Sequence, residues 1–358
     1  MRSQSIPGRL RIAALTVVLV LAGFRVAHAA PPSSGAPLSS DALLTAPMQG
    51  KPVDVAVGLH VINIASIDEV LEQFEIDGYV VARWKDPRLT YTPSGPDEKR
   101  EYQRGQVWIP YLEMVNGVTP HDRYDVSVFG DPDGTINYVE RFHALLSSKF
   151  QLRRFPFDSQ ELLVIIHPFL RQAGEVAFSI YPNDVWATRE FTQYSSLAQW
   201  NLVSLQPSVG SSHLYGKKES PEIRFTIQVK RRYNFYIWKV FLPLLLMVLL
   251  SWAVFWVEAR DLSNQVQIAI TTILTVIAFA FAISATMPRV PYLTYIDAFF
   301  LTCYVFVFIS IVELMIVHLT YRKERAGDLG VRIQRISRWA VPSAFVVTNA
   351  ILIARFLG

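Results

Sequence analysis

Beyond Arg232 the chain carries four apolar stretches, about Tyr236 to Val257, Val266 to Ala285, Ile296 to Thr320 and Trp339 to Phe356. Each is long enough to cross a bilayer, since about 20 helical residues at ~1.5 Å apiece span a hydrocarbon core of about 30 Å. Inside that core every backbone amide must be satisfied within the protein, so four consecutive runs of this kind dictate a helical bundle. The connection from Tyr321 to Arg338 carries Arg322, Lys323, Arg325, Arg332, Arg335 and Arg338, whereas the Met287 to Tyr295 connection carries only Arg289. Basic loops stay cytoplasmic. An even number of crossings then returns the C-terminus to the side on which the chain entered.

Composition agrees with a membrane protein: 51% of residues are hydrophobic and 18% charged. Disorder, collagen-like repeats and a disulfide scaffold are excluded together by that apolar content, by 17 glycines and by a single cysteine. The formal net charge of +4 reflects cations beside apolar runs rather than a basic stripe interleaved with aromatics, so no nucleic acid partner is expected. At the N-terminus Arg2, Arg9 and Arg11 precede an apolar run from Ile12 to Phe24 and the small-x-small site Ala27-His28-Ala29. That is the grammar of a secretory signal, cleaved after Ala29. Residues 30–50, rich in Pro, Ser, Gly and Ala, read as a linker.

From 51 to 232 the pattern changes to short alternating runs, such as Tyr79 to Trp84, Leu162 to Ile166 and Ile223 to Lys230, broken by turn residues. Alternation at period two marks strands, and about 180 residues of them without a long helical pattern predict one all-β, immunoglobulin-like sandwich. Asp131-Pro132-Asp133-Gly134 reads as a turn between two strands; as a calcium loop it fails, because the glycine and the third carboxylate are misplaced. The expected organisation is therefore a signal (1–29), a linker (30–50), an exported sandwich (51–232) and a four-helix transmembrane bundle (233–358).

The second apolar stretch is the informative one. Gln267, Thr271, Leu274, Ala278, Phe281 and Ala285 recur at spacings of four, three, four, three and four. They mark one helical face that grades from amide and hydroxyl at the cytoplasmic end to apolar at the other. Gln267 and Thr271 facing lipid would lack partners, so the stripe faces either another helix or water. Periodicity alone leaves packing seam and pore lining open.

Several motifs then resemble one family in order: Trp84-Lys85-Asp86, Trp108-Ile109-Pro110, Arg141-Phe142, Phe155-Pro156-Phe157-Asp158, Pro243 in the first apolar stretch and Pro288-Arg289-Val290-Pro291-Tyr292 after the second. From about Lys51 onward the chain is similar to prokaryotic pentameric ligand-gated ion channels, relatives of the Cys-loop receptors. Where animal members carry the bracketing cysteines, this chain has Ser148 and Leu162, which matches bacterial members. The resemblance implies a homopentamer in a bacterial inner membrane, with sandwich and C-terminus periplasmic. Five copies of the second helix would line an axial pore for inorganic ions, in which Gln267 and Thr271 form the wet constriction and Leu274, Ala278 and Phe281 an apolar gate.

It also implies a junction at which Glu69 and Asp158 embrace Arg231, while Phe155, Pro156 and Phe157 press on the loop containing Pro291. An agonist site between subunits would draw on Tyr79, Glu113, Phe169 and Tyr215; two aromatic faces and a carboxylate suit a small organic cation. In the amine-gated pattern a Glu stands where this chain has His167. The rival agonist is the proton, with Glu72 at the position of a carboxylate sensor, Val276 in place of an intramembrane histidine, and Glu313 and His318 as titratable groups at membrane depth. For selectivity, Ser263-Asn264-Gln265 lacks the carboxylate of the cation-selective pattern; the nearest anion is Asp261, and Glu258 and Asp261 flank Arg260, which leans towards cations.

A membrane-anchored enzyme is the competing class. His28 leaves with the signal, and His60, His121, His143, His167, His213 and His318 are scattered without metal-ligand spacing. No Gly-rich phosphate loop or Gly-x-Ser-x-Gly elbow occurs, so neither cofactor, metal nor catalytic residue is expected. A sensor that uses the helices only as an anchor is the other alternative.

Overall fold

The computed structural model describes residues 40–48, 50–169, 174–187, 199–213, 219–256, 262–284, 290–321 and 327–358. The expected signal, Tyr215, Ala285, Pro288, Arg289 and the mouth residues Glu258, Arg260 and Asp261 lie outside these residues. Ten strands form two sheets: β1 (Val53–Asp68), β2 (Gln73–Lys85), β3 (Arg100–Tyr102), β4 (Leu112–Met114), β5 (Asp122–Gly130), β6 (Thr135–Ser147), β7 (Ser159–Pro168), β8 (Val176–Ala187), β9 (Trp200–Ser212) and β10 (Ser220–Arg231). One sheet runs β3-β5-β6-β2-β1-β8 and the other β4-β7-β10-β9. All pairings are antiparallel except β1 with β8.

Alternation places the core. Phe74, Ile76, Val80, Ala82 and Trp84 of β2 face Leu162, Val164 and Ile166 of β7 and Ile223, Phe225, Ile227 and Val229 of β10 in one buried cluster. Side chains one residue out of phase therefore lie on the outer faces, where a recognition site has to be built. The Asp131 to Gly134 segment is the β5–β6 turn, with Gly134 at φ +79°. Its carboxylates are committed within the turn and to neighbours: Asp131 to Asn137 and Lys99, Asp133 to Lys85 and Thr135. The hydrogen bonds from Lys85 and Thr135 hold the Asp133 carboxyl at about 2.

The end of the segment expected as linker is docked. Residues Ser40–Leu44 form a 3-10 turn, and Arg88 donates to the carbonyls of Ala42 at 2.7 Å and Thr45 at 3.0 Å.

Four helices follow, all long and apolar enough to cross a membrane: α1 (Asn234–Ala253), α2 (Leu262–Ser284), α3 (Tyr295–Tyr321) and α4 (Gly327–Leu357). In α1 the residues Ile237–Phe241 form a π segment immediately before Pro243. Proline lacks an N–H and its ring clashes with the carbonyl four residues back, so a wider turn absorbs the mismatch.

The fourth helix departs from expectation, starting at Gly327 rather than near Trp339. Its 31 residues at ~1.5 Å measure about 46 Å, well beyond a hydrocarbon core of about 30 Å. Leu329, Ile333, Ile336 and Ala340 recur at helical spacing, so an amphipathic pattern carries the helix off the apolar stretch. Arg332, Arg335 and Arg338 are thus helical residues, not loop residues. Arg338 donates to the Phe255 carbonyl at 2.8 Å and tethers α4 to the residues just after α1.

Candidate functional site: pore stripe, junction and recognition face

Three sets of residues carry chemistry, and each occupies its own level of the protomer. On α2, Thr272 and Val276 are buried while Gln267, Thr271, Leu274, Ala278 and Phe281 are all exposed. Leu274 and Phe281 expose 64% and 72% of their surface, so neither packs within this chain. Ile273, Phe279, Ala280 and Ile283 pack instead against the bundle.

At the junction, Arg231 ends β10 and is 2% exposed. Its Nε donates to Asp158 Oδ1 at 2.8 Å, its Nη2 to Asp158 Oδ2 at 3.2 Å, and its Nη1 to Glu69 Oε1 at 2.7 Å. The guanidinium plane also lies over the rings of Trp200 at 4.1 Å and Phe155 at 4.7 Å. Burial works against the charge, but the bonds and charges of Asp158 and Glu69 outweigh it and hold the guanidinium above its ordinary value. Glu69 reaches this point because Asp68 caps the β1–β2 turn, accepting from the N–H groups of Val70 and Leu71 at 2.9 Å. Glu72, in the same turn, is exposed at φ +54°.

The Phe155-Pro156 bond is cis. Phe157 packs on Tyr233, Phe241 and Tyr295, and Phe155 on Tyr236. The α2–α3 loop meets this wedge through Tyr292, whose hydroxyl accepts from the Leu152 N–H at 3.1 Å, and through the N–H of Tyr295, which donates to the Arg153 carbonyl at 3.0 Å. Pro291 is exposed beside them. Tyr292 belongs to the loop motif that the sequence marked, whereas Trp200 escaped sequence reasoning, because an aromatic residue at a strand start has no spacing that marks it.

The residues expected at the agonist site divide between the sheets. Tyr79 lies on the outer face of the six-stranded sheet, in register with His60 and Arg141. Trp186 stacks on His60 at 4.4 Å. Glu113 on β4 and Phe169 just after β7 share the outer face of the other sheet: Glu113 is in register with His167, and the Phe169 N–H donates to the Tyr111 carbonyl at 2.8 Å. Phe169 is 49% exposed. One protomer therefore brings Glu113 and Phe169 together and leaves Tyr79 on its opposite sheet.

Beside Phe169 the structure adds a group of residues. His167 is fully buried, and its Nε2 lies 3.0 Å from Glu222 Oε2, whose other oxygen accepts from Arg224 Nη2 at 2.7 Å. At membrane depth, Glu313 of α3 is buried next to Ser337 of α4. Glu313 Oε1 and His318 Nδ1 find no hydrogen-bond partner among the described residues.

With this geometry in hand, comparison with known proteins is decisive. Residues 42–233 match the ligand binding domain of neurotransmitter-gated ion channels and residues 240–329 match their transmembrane region. The chain belongs to this family, the pentameric ligand-gated ion channels, and is a multi-pass membrane protein. It is 30% identical over 317 residues to a proton-gated ion channel of Gloeobacter violaceus, covering 87% of this chain and 86% of that one. It is also 26% identical over 297 residues to gamma-aminobutyric acid receptor subunit beta-4 of Gallus gallus, covering 81% of this chain and 60% of the receptor subunit.

Proposed function

We propose that five copies of this chain form a ligand-gated, cation-selective channel of a bacterial inner membrane, with sandwich and C-terminus periplasmic. The observation that carries the reading is the exposed α2 stripe, Gln267 to Phe281, on a helix that packs on the bundle through Ile273, Val276, Phe279 and Ile283. Around a five-fold axis that stripe becomes a pore, wet at Gln267 and Thr271 and closed by apolar rings at Leu274, Ala278 and Phe281. A narrow apolar ring empties of water and so blocks ions without a bulky plug. Ala285 extends the same spacing, and Tyr215 belongs to the agonist set by sequence.

The agonist is a small organic cation held between Glu113 and Phe169 of one subunit and Tyr79 of the next. Exposed aromatic faces with a nearby carboxylate are the elements of cation-π recognition. Movement at that interface reaches the pore through the Glu69, Asp158 and Arg231 cluster and the wedge of Phe155, Pro156 and Phe157 above the Pro291 loop. In such a channel Phe169→Ala raises the half-maximal amine concentration roughly ten- to hundredfold, the worth of about 1–3 kcal/mol.

A second reading, gating by protons, is supported by the Gloeobacter relative, a proton-gated ion channel. Its sensors would be Glu72, exposed in the β1–β2 turn, and the intramembrane Glu313 and His318. Concentration and pH response curves of Phe169→Ala and Glu72→Gln separate the two. Opening on acidification alone, with Phe169→Ala equal to the parent, would reverse the preference for an amine.

A further inference from the structure

Resting on the amine reading of this interface, we infer that Glu222 is a second carboxylate of the agonist site and that His167 is the residue that positions it, making amine recognition sensitive to pH. Leu162, Val164 and Ile166 of β7 point into the core, so His167 turns to the outer face. There Glu113 of β4 lies on one side of it and Glu222 of β10 on the other. Phe169, the exposed aromatic ring, follows two residues later on the same strand end. Glu222 itself lies near the connecting end of the β9–β10 pair, in register with Gly210 and two residues after Ser220 begins β10.

This arrangement answers a discrepancy in the sequence. The amine-gated pattern that the chain resembles carries a Glu where this chain has His167. Here the imidazole instead holds a carboxylate from the next strand, 3.0 Å from its Nε2. A carboxylate so fixed pays less conformational entropy on binding a cation than one on a free side chain.

The charged and titratable groups around His167 can be named strand by strand. Glu113 comes from β4, and Glu222 and Arg224 from β10, with Arg224 bonded to Glu222 at 2.7 Å. Arg171, Lys217 and Lys218 lie outside the described residues. With a neutral imidazole, Glu222 is held by one cation, Arg224. With an imidazolium it is held by two, and the wall gains one positive charge. An ammonium ligand therefore competes with the proton on His167, and by linkage each weakens the other's binding by the same factor. Acidification lowers affinity for the amine, the opposite of acid acting as an agonist.

The test uses the full-length channel reconstituted in liposomes, with ethylamine and 1,3-diaminopropane as probes at pH 8 and pH 6. These values lie within the span of about pH 5 to 8 over which imidazoles titrate, while the amines stay charged. In the parent the half-maximal amine concentration rises roughly fivefold or more on going to the lower pH. In His167→Gln, whose amide still donates to Glu222, the two curves coincide. In Glu222→Gln the response is weaker at both pH values, while the mass of the assembly is unchanged. A parent that answers to amines but shows the same pH shift as His167→Gln would overturn the role of His167. An unchanged amine response in Glu222→Gln would overturn the role of Glu222. A parent that neither binds nor opens with either amine would remove the amine reading itself, and this inference with it.

Discussion

Arg231 sits between two carboxylates and two aromatic rings where water barely reaches. A buried cation this well satisfied is costly to disturb: taking away one member of such a group costs roughly 3–5 kcal/mol, because the others remain buried and unpaired. Arg231→Gln is therefore expected to lose agonist-evoked current while still reaching the membrane, with lowered thermal stability. Current measured against surface-labelled protein checks this, and a normal response would mean that the cation is only structural. At the positions that carry cysteines in animal relatives, Ser148 donates to the carbonyl of Glu161 at 2.7 Å, next to Leu162, which is fully buried. A local hydrogen bond and core packing stand at the place of the covalent link. Glu140 supplies a pH test. Burial pushes its carboxyl up, but hydrogen bonds from His121 and Tyr138 and the charge of Arg123 outweigh that and hold it below the ordinary value. A carboxyl depressed in the folded state contributes stability that is present above its unfolded value of about 4.3 and lost as pH falls through the lower folded one. The thermal stability of the parent should thus fall on acidification below about pH 4, and Glu140→Gln should be less stable at neutral pH with a flatter acid limb.

At the scale of elements, α2 is the member whose function depends on which side it shows. Leu274→Ser places a hydroxyl in the apolar ring, which then stays wet, so the variant is expected to leak at rest or to open at lower agonist concentration. Resting conductance in liposomes measures it, and a value equal to the parent would detach Leu274 from the gate. The stripe was legible in the sequence because helical spacing is a local property, and so were the strands, whose alternation survives in Tyr79 to Trp84 and Ile223 to Lys230 as parts of β2 and β10. The start of α4 was not. Its apolar residues thin out before Trp339 and the arginines between them resemble a loop, although Leu329, Ile333 and Ile336 keep helical spacing. The π segment before Pro243 was equally hidden, since proline announces a disturbance but not its form. The pairing of His167 with Glu222 spans 55 residues of sequence and exists only through the register of β7 against β10. No spacing rule reaches across such a gap.

For the whole molecule, a protomer that leaves Leu274 and Phe281 exposed on one helix edge and divides its recognition residues between two sheets is incomplete alone. Native mass measurement in mild detergent is expected to give five copies, and a stable monomer or dimer would leave the stripe without a pore to line. The central claim is that the ring conducts when an agonist binds. Its most direct test is single-channel recording of purified protein in a planar bilayer, across pH and a panel of small amines. The account predicts unitary current steps that appear with agonist, carry cations, and persist without agonist in Leu274→Ser. A parent protein that assembles and inserts but gives no steps under any of these conditions would contradict it, and would make the four helices an anchor for a sensor.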